Sequence, residues 1–338
     1  MSAMDSMDDM DGMDRRGVMR CMAGVTVSLA IALCGCDRSG GSVPRTAAAP
    51  DTISVFYTCD TRGHISPCNC TAGVAGGLPR RKSFITQRKS GSALIVDAGD
   101  LTAGGRPWEL LELEYILRGY GGIGYDAVNI GKREAALPAE TLKDLRARYP
   151  FLVSANVQDA DGNAIFPAFR VVTLDGGYRV AVLGVVGDGL LPDEIGDGVR
   201  IAPMREALDR AVPEAKAKAD LLVLLAFANE PSLRESAERY FEIAVIVGGD
   251  VEQPSGDAVA ANKSTIVYVT DKGKSVGELK LRYIGGQYVA EANSITMLLD
   301  SVPDDPAMTA LVRELERRRV ENNFPKKPDD EEGLTAVK

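Results

Sequence analysis

The sequence has one histidine, His64, in 338 residues. That number alone excludes any site that needs several imidazoles. An excess of positive charge is also missing. The formal charge is −9 and the pI is near 4.9, which argues against a uniform basic surface for nucleic acid. No internal repeat is visible. No Cys-x-x-Cys-His stands in the chain, so haem attachment is unsupported. The apolar run from Met22 to Leu33 is about a dozen residues, too short to span a bilayer. What is present is bulk: 45% apolar and 26% charged residues exclude a disordered or collagen-like chain. The length allows one large domain or two small ones around a hydrophobic core.

Residues 1–12 are acidic and rich in Met, a poor start to a secretory signal and the mark of a mis-assigned start. Met13 begins a basic stretch, and residues 13–35 form a lipoprotein signal peptide with the short apolar run at its centre. The run ends in Leu33-Cys34-Gly35-Cys36, which resembles a bacterial lipobox with Cys36 as the lipidated residue. Several acyl chains on one Cys give stable anchoring. Asp37 resembles an inner-membrane retention signal of some bacteria; inner versus outer membrane stays open. Residues 36–50 carry small residues and two prolines and are expected to be a flexible tether. The expected location is the periplasmic face of a bacterial membrane, with the membrane as partner through the lipid anchor.

From residue 51 onward strand and helix patterns alternate. Strands are expected at Ile53–Thr58, Ala93–Val96, Ala127–Ile130, Phe151–Val157, Leu221–Leu225 and Ile243–Val247. Phe169–Leu174 and Tyr178–Val186 are expected to pair. Thr265–Thr270, Ser275–Tyr283 and Tyr288–Leu298 are expected as an antiparallel end to the sheet. Helices are expected at Pro107–Leu117, Ser232–Tyr240, Asp305–Val320 and Met204–Ala219, the last broken or restarted at Pro213. Polar residues cluster just after strand ends, at Asp60, Asp100, Lys132–Glu134 and Asp250, the edge where α/β sheets build sites. Lone Trp108, at a helix start, is expected to pack, and Arg317–Arg319 to form a solvated helix face. The domain is expected over residues 51–300, followed by a C-terminal helix and polar tail, 301–338.

Taken together, these strand ends resemble the calcineurin-like metallophosphatases, and within them the 5′-nucleotidase and UDP-sugar hydrolase branch. The likeness lies in Tyr57–His64 (YTCDTRGH), Gly76–Lys82 (GGLPRRK), Asp97–Asp100 (DAGD), Tyr125–Gly131 (YDAVNIG), Ser154–Val157 and Val247–Gly249. It implies an α/β fold: an αββα sandwich of mixed sheets flanked by helices. It also implies two metal ions that clamp a phosphate and activate water for in-line attack. Carried over position by position, the sequence keeps Asp60 and Asp100. Arg62 stands at the first His position, and Lys132-Arg133 at the Asn-His pair, with Glu134 retained. Phe227 stands at the His after the apolar strand, and Asp250 and Glu252 stand at the Gly-His-x-His pair. His64 matches a His outside the usual metal set.

Charge decides what these replacements imply. At an effective dielectric near 20, a unit pair at 4 Å is worth roughly 4 kcal/mol, and a dication doubles it. Arg62, Lys132 and Arg133 therefore serve better as replacements for metals than as their neighbours. The expectation is a pocket filled by salt bridges, with no metal and no other cofactor. The alternative is a Mn²⁺ or Mg²⁺ site made by Asp60, Asp100, Asp250 and Glu252. A cation-lined pocket also admits a phosphate-like anion, although internal ion pairing is the simpler outcome.

Cys59, Cys68 and Cys70 lie within twelve residues, and some degenerate relatives of this branch share such a Cys-x-Cys. Three cysteines cannot all pair within one molecule. One structural disulfide with a spare thiol is the plain reading. A redox pair with a resolving cysteine is the second, with Arg62, Arg80 and Arg81 lowering a thiol pKa and a redox partner protein implied. A single zinc held by Cys59, Cys68, Cys70 and His64 is the third. His64 alone is more simply a hydrogen-bonding loop residue. Three functions follow. The leading one is a metallophosphatase-fold protein without its metal centre, acting as a binding or redox module through the Cys loop. The others are an active metal-dependent phosphoesterase and a thiol–disulfide or metal-handling protein.

Overall fold

The computed structural model describes residues 48–70, 73–251, 256–269 and 272–325. The expected signal peptide, Cys36, Glu252 and the polar tail beyond 325 lie outside them, as do the side chains of Cys68 and Cys70. All described residues fall in the second of two units into which the chain divides, Thr46–Lys338.

Among the described residues, sixteen strands and seven helices follow in chain order. The first part holds β1 (Thr52–Thr58), β2 (Cys68–Cys70), β3 (Gly73–Ala75), α1 (Leu78–Arg88), β4 (Ala93–Asp97), α2 (Pro107–Ile123) and β5 (Ala127–Asn129). Next come α3 (Lys132–Ala135), α4 (Ala139–Arg148), β6 (Leu152–Val153), β7 (Val157–Asp159), β8 (Phe169–Thr173), β9 (Arg179–Val186) and β10 (Val199–Ile201). The remainder is α5 (Met204–Lys218), β11 (Leu221–Phe227), α6 (Glu230–Arg239), β12 (Ile243–Gly249), β13 (Val259–Ala261), β14 (Ser264–Tyr268), β15 (Ser275–Ile284), β16 (Gln287–Met297) and α7 (Pro306–Glu321).

Two six-stranded mixed sheets result, with orders β16-β15-β1-β4-β5-β6 and β13-β14-β12-β11-β9-β8. Strand alternation explains how they stack. In β1, Ile53, Val55 and Tyr57 face the second sheet, while Phe56 faces the helices. In β11, Leu221, Val223, Leu225 and Phe227 enter the core between the sheets. Leu222, Leu224 and Ala226 pack with residues of α5 and α6. A strand buried on both faces needs the continuous apolar run that β11 has. Residues of α1, α2, α4 and α7 cover the outer face of the first sheet. The architecture is thus four layers, αββα, as expected.

Several elements differ from expectation. Phe151–Val157 is not one strand but β6 and β7, which pair in different sheets. The last strands do not form one antiparallel end: β14 pairs parallel to β12, while β15 and β16 return to the first sheet. Helix α5 runs unbroken through Pro213, whose ring sits on the exposed face, where a missing backbone hydrogen bond faces solvent. The run Arg317–Arg319 is not wholly solvated, because Arg319 is buried against Glu112. The pattern hid α1 because its buried face includes Arg80 and Arg81. Trp108 does pack, 6.4 Å from Phe324 and beneath Arg106. The end of the expected tether is docked rather than loose: Ala49 packs against the core and the Pro50 carbonyl accepts from Tyr288 Oη at 2.7 Å.

Under the ends of β1 and β4 lies a buried polar network. The Arg81 guanidinium is fully buried and donates to Tyr120 Oη at 2.7 Å, Tyr125 Oη at 3.3 Å and Thr61 Oγ1 at 3.3 Å. Asp97, also fully buried, accepts from Tyr120 Oη at 2.7 Å, Thr58 Oγ1 at 2.5 Å and the Gly99 amide at 2.8 Å. Tyr120 and Tyr125 stack at 4.0 Å. Burial pushes the Asp97 carboxyl up, and its hydrogen bonds and Arg81 work against that rise. Truncating one member of a buried charge pair strands the other. Arg81→Met is therefore expected to cost about 3–5 kcal/mol in denaturant unfolding. Arg234→Met, which removes an exposed pair with Glu230, leaves the midpoint almost unchanged.

Candidate functional site

The loops after β1, β4 and β5 meet at one edge of the sandwich. Backbone bonds join the first two: Asp60 N–H to Gly99 O at 2.8 Å, Arg62 N–H to Asp100 O at 3.0 Å, and Gly63 N–H to Leu101 O at 2.7 Å. The third is equally close, since a Cβ on Gly131 would lie 2.2 Å from the Asp100 amide nitrogen. The second sheet reaches the same place. A Cβ on Gly249, at the end of β12, would lie 2.5 Å from the Phe227 ring and 2.7 Å from Cys59 Sγ. Glycine is required at both positions by approach alone.

Four residues on these loops have left-handed backbone: Asp60 (φ 62°), Arg62 (φ 45°), Asp100 (φ 63°) and Asp250 (φ 57°). Aspartate tolerates that region better than most residues. Arginine has no such tolerance, so Arg62 is held by its contacts. Those contacts are ionic. Arg62 Nε donates to Asp60 Oδ1 at 2.7 Å and Nη2 to Oδ2 at 2.8 Å, a two-pronged pair. Its Nε is also 3.9 Å from Asp100 Oδ2. Arg133 brackets Asp100 from the other side, its backbone N–H on Oδ1 at 2.8 Å and its Nε 3.3 Å from Oδ2. Lys132 does not join them; it pairs with Glu194 at 2.5 Å. The expected convergence of three cations is therefore corrected to two.

Glu134 organises the loops. Its carboxylate is buried and accepts the amides of Asp100 at 2.9 Å, Gly131 at 2.9 Å and Thr102 at 2.7 Å. Burial pushes Glu134 up against these bonds. Burial first, and then Glu134, pushes Asp100 well above the usual carboxylate range. Asn129, on β5, donates Nδ2 to Ala98 O at 3.0 Å and Val185 O at 2.8 Å, joining the two sheets. Phe227 is buried at the end of β11, and Asp250 is exposed after β12.

The donors do not fit a two-metal centre as they stand. Both Asp60 oxygens accept from Arg62, both Asp100 oxygens face Arg133, and Glu134 is committed to backbone amides. Asn129 directs its amide nitrogen at carbonyls, and Phe227 has no ligating atom. Among the described residues no group of three or more His, Cys, Asp or Glu is arranged to hold a metal ion.

Of the three expected thiols, only that of Cys59 lies among the described side chains. Cys59 is a free cysteine, buried, with Sγ 3.6 Å from Gly99 O. Burial, then Asp60, pushes its thiol well up, so it lacks the reactive thiolate expected of a redox cysteine. Arg81 is committed to the Asp97 network, and Arg80 to Val74 O at 2.8 Å and Leu298 O at 3.3 Å. Neither is a neighbour that lowers the Cys59 pKa. Cys68 and Cys70 lie on β2, which pairs with β3 (Cys68 opposite Ala75, Cys70 opposite Gly73). His64 is half-buried in the loop between β1 and β2, its backbone N–H donating to Thr61 O at 2.9 Å. Tyr120, Tyr125 and Asn129 shape the site without being candidates from sequence. The only signal for them is their place in or beside the matched segments.

No family model matches the chain. A 5′-nucleotidase from Vibrio cholerae serotype O1 is 28% identical over 205 residues, 53% of this chain and 36% of that protein. Among solved structures, a 5′-nucleotidase precursor from Thermus thermophilus superposes with a TM-score of 0.69 at 23% identity, covering 80% of this chain and 59% of that one. The calcineurin-like phosphoesterase YfkN from Bacillus subtilis gives 0.63 at 20% identity, covering 80% and 98%. The chain spans about a third of the length of the curated Vibrio cholerae relative. The chain thus has the αββα fold of these phosphoesterases, and about half of it is similar in sequence to a protein named 5′-nucleotidase.

Proposed function

We propose that this chain is a lipid-anchored periplasmic protein that keeps the metallophosphatase fold, has lost the dinuclear metal centre, and acts as a binding or redox module through its Cys loop. One observation carries the reading: the Arg62 guanidinium closes on both oxygens of Asp60, at 2.7 and 2.8 Å. A dication brought 4 Å from Arg62 meets a repulsion of roughly 8 kcal/mol at an effective dielectric of 20. Arg62 instead supplies the positive charge that Asp60 requires, and Arg133 brackets Asp100. Burial of Cys59 leaves Cys68 and Cys70 as the pair for thiol chemistry, with a redox partner protein, and the exposed part of the two arginines as the place for a phosphate-like anion. The periplasm follows from the Cys36 signal and from kinship to 5′-nucleotidases.

A second reading is an active phosphoesterase loaded with Mn²⁺ or Mg²⁺ on its carboxylates. It is favoured by the likeness to a protein named 5′-nucleotidase over 53% of the chain. Metal content and turnover separate the two. The chain purified without chelator is expected to hold well under one equivalent of Mn, Fe or Zn, and to release no phosphate from nucleotides with added metal. Two equivalents, with turnover lost in Asp100→Asn, would establish the hydrolase instead.

The buried carboxylates also set a pH dependence. Asp100 is raised in the fold, so above its unfolded value, about pH 4, the native state holds more protons than the unfolded one. Stability from this group is present at low pH and lost as pH rises through the folded value. Asp100→Asn is expected to flatten that decline above about pH 4, as urea midpoints measured across a pH series would show.

A further inference from the structure

The chain enters the domain at the end of the sandwich opposite the candidate site. Pro50 and Asp51 precede β1, and the site follows it, about 20 Å along a seven-residue strand. The hairpin joining β15 to β16 lies at the entry end. Its Tyr283 amide donates to Asp51 O at 2.9 Å, and Tyr288 Oη donates to Pro50 O at 2.7 Å. Three tyrosines gather here: Tyr288 is 5.1 Å from Tyr283 and 5.9 Å from Tyr178. Tyr283 is 40% exposed and Ile284 beside it 54%. Gly285 and Gly286 complete the turn, both with positive φ. The adjacent Arg282 is taken up by an ion pair with Glu291.

We infer that this hairpin tip is a membrane-contact surface, with Tyr283 and Ile284 resting in the headgroup region of the bilayer that holds the Cys36 lipid. The inference rests on the anchored reading of Cys36. Eleven residues, 37–47, separate Cys36 from the first described residue. They span at most about 40 Å when fully extended. The lipid therefore confines the entry point, and with it the tip, to the neighbourhood of the surface at a high effective concentration. Tyr178 and Tyr288 are buried and support the tip from within, so the exposed pair is Tyr283 and Ile284; a tyrosine beside an exposed aliphatic residue suits an interface where one end is apolar and the other wet. With Arg282 neutralised, the contact is apolar and needs no anionic lipid. It turns the Asp60–Asp100 edge away from the bilayer, toward soluble ligands or partners.

The full-length chain is tested in phosphatidylcholine vesicles, with mass spectrometry reporting acylation of Cys36. Ile284→Trp in a Trp108→Phe background places one indole at the tip, and Val74→Trp in the same background places one near the site edge. With brominated acyl chains the tip indole is expected to lose about half its emission or more, unchanged by salt up to about 0.5 M, while the indole at position 74 is unaffected. An acylated, vesicle-bound chain with an unquenched tip overturns the contact and leaves the anchor standing. An unacylated Cys36 overturns the anchor and the contact with it. If the Trp108→Phe background does not fold, hydrogen exchange of residues 282–288 in the unsubstituted chain, vesicle-bound against detergent-free Cys36→Ser, makes the same decision.

Discussion

A fully buried guanidinium holds the site edge in place. Arg81 on α1 reaches Tyr120 on α2, and through Tyr120 it reaches Asp97 at the end of β4. It also touches Thr61 in the loop after β1. One cation thus ties two helices and two strand ends into one polar knot. Hydroxyls answer both of its Nη groups, while its buried Nε has no hydrogen-bond partner, so the buried charge depends on these few neighbours. The loops that carry Asp60 and Asp100 rise directly from this knot and inherit its rigidity.

Above the knot the chemistry changes from that implied by the family resemblance. Glu134 gathers three amides and fixes the curvature of two loops. Asp60 and Asp100 remain on left-handed backbone, as though presenting oxygens to a shared ligand. Arg62 and Arg133 take those oxygens instead. The carboxylates that persist are stabilised where they stand by arginine, which is always charged and matches a carboxylate with two donors. Retained aspartates therefore do not by themselves imply retained hydrolysis.

Much of the fold was legible from the sequence because its strands are buried on both faces. Runs such as Leu221–Phe227 are short and wholly apolar, with polar residues close on either side, which marks a strand covered on both faces. The four layers came instead from the resemblance to the metallophosphatases, since the strand pattern alone implied only an α/β chain with an antiparallel end. Helix α1 was not legible, because Arg80 and Arg81 occupy its buried face and erase the apolar period. The split between β6 and β7 escaped because periodicity does not report which sheet a strand joins. Within the site, Asp60, Arg62, Asp100 and Arg133 were named from the chain. The burial of the Cys59 thiol beside Gly249 was not legible, because it depends on the second sheet.

The sequence by itself determined the shortage of imidazoles, the alternation of strands and helices, and the identity of the charges after each strand. These are properties of residue type and spacing, which need no partner. Only the tertiary structure decided how those charges pair. Arg62 folds back on Asp60, Arg133 turns to Asp100, Lys132 leaves for Glu194, and Arg81 descends to the Asp97 network. Each choice depends on distances between segments far apart in the chain. Electrostatic energy falls with distance and rises with burial, and neither quantity is written in a linear sequence.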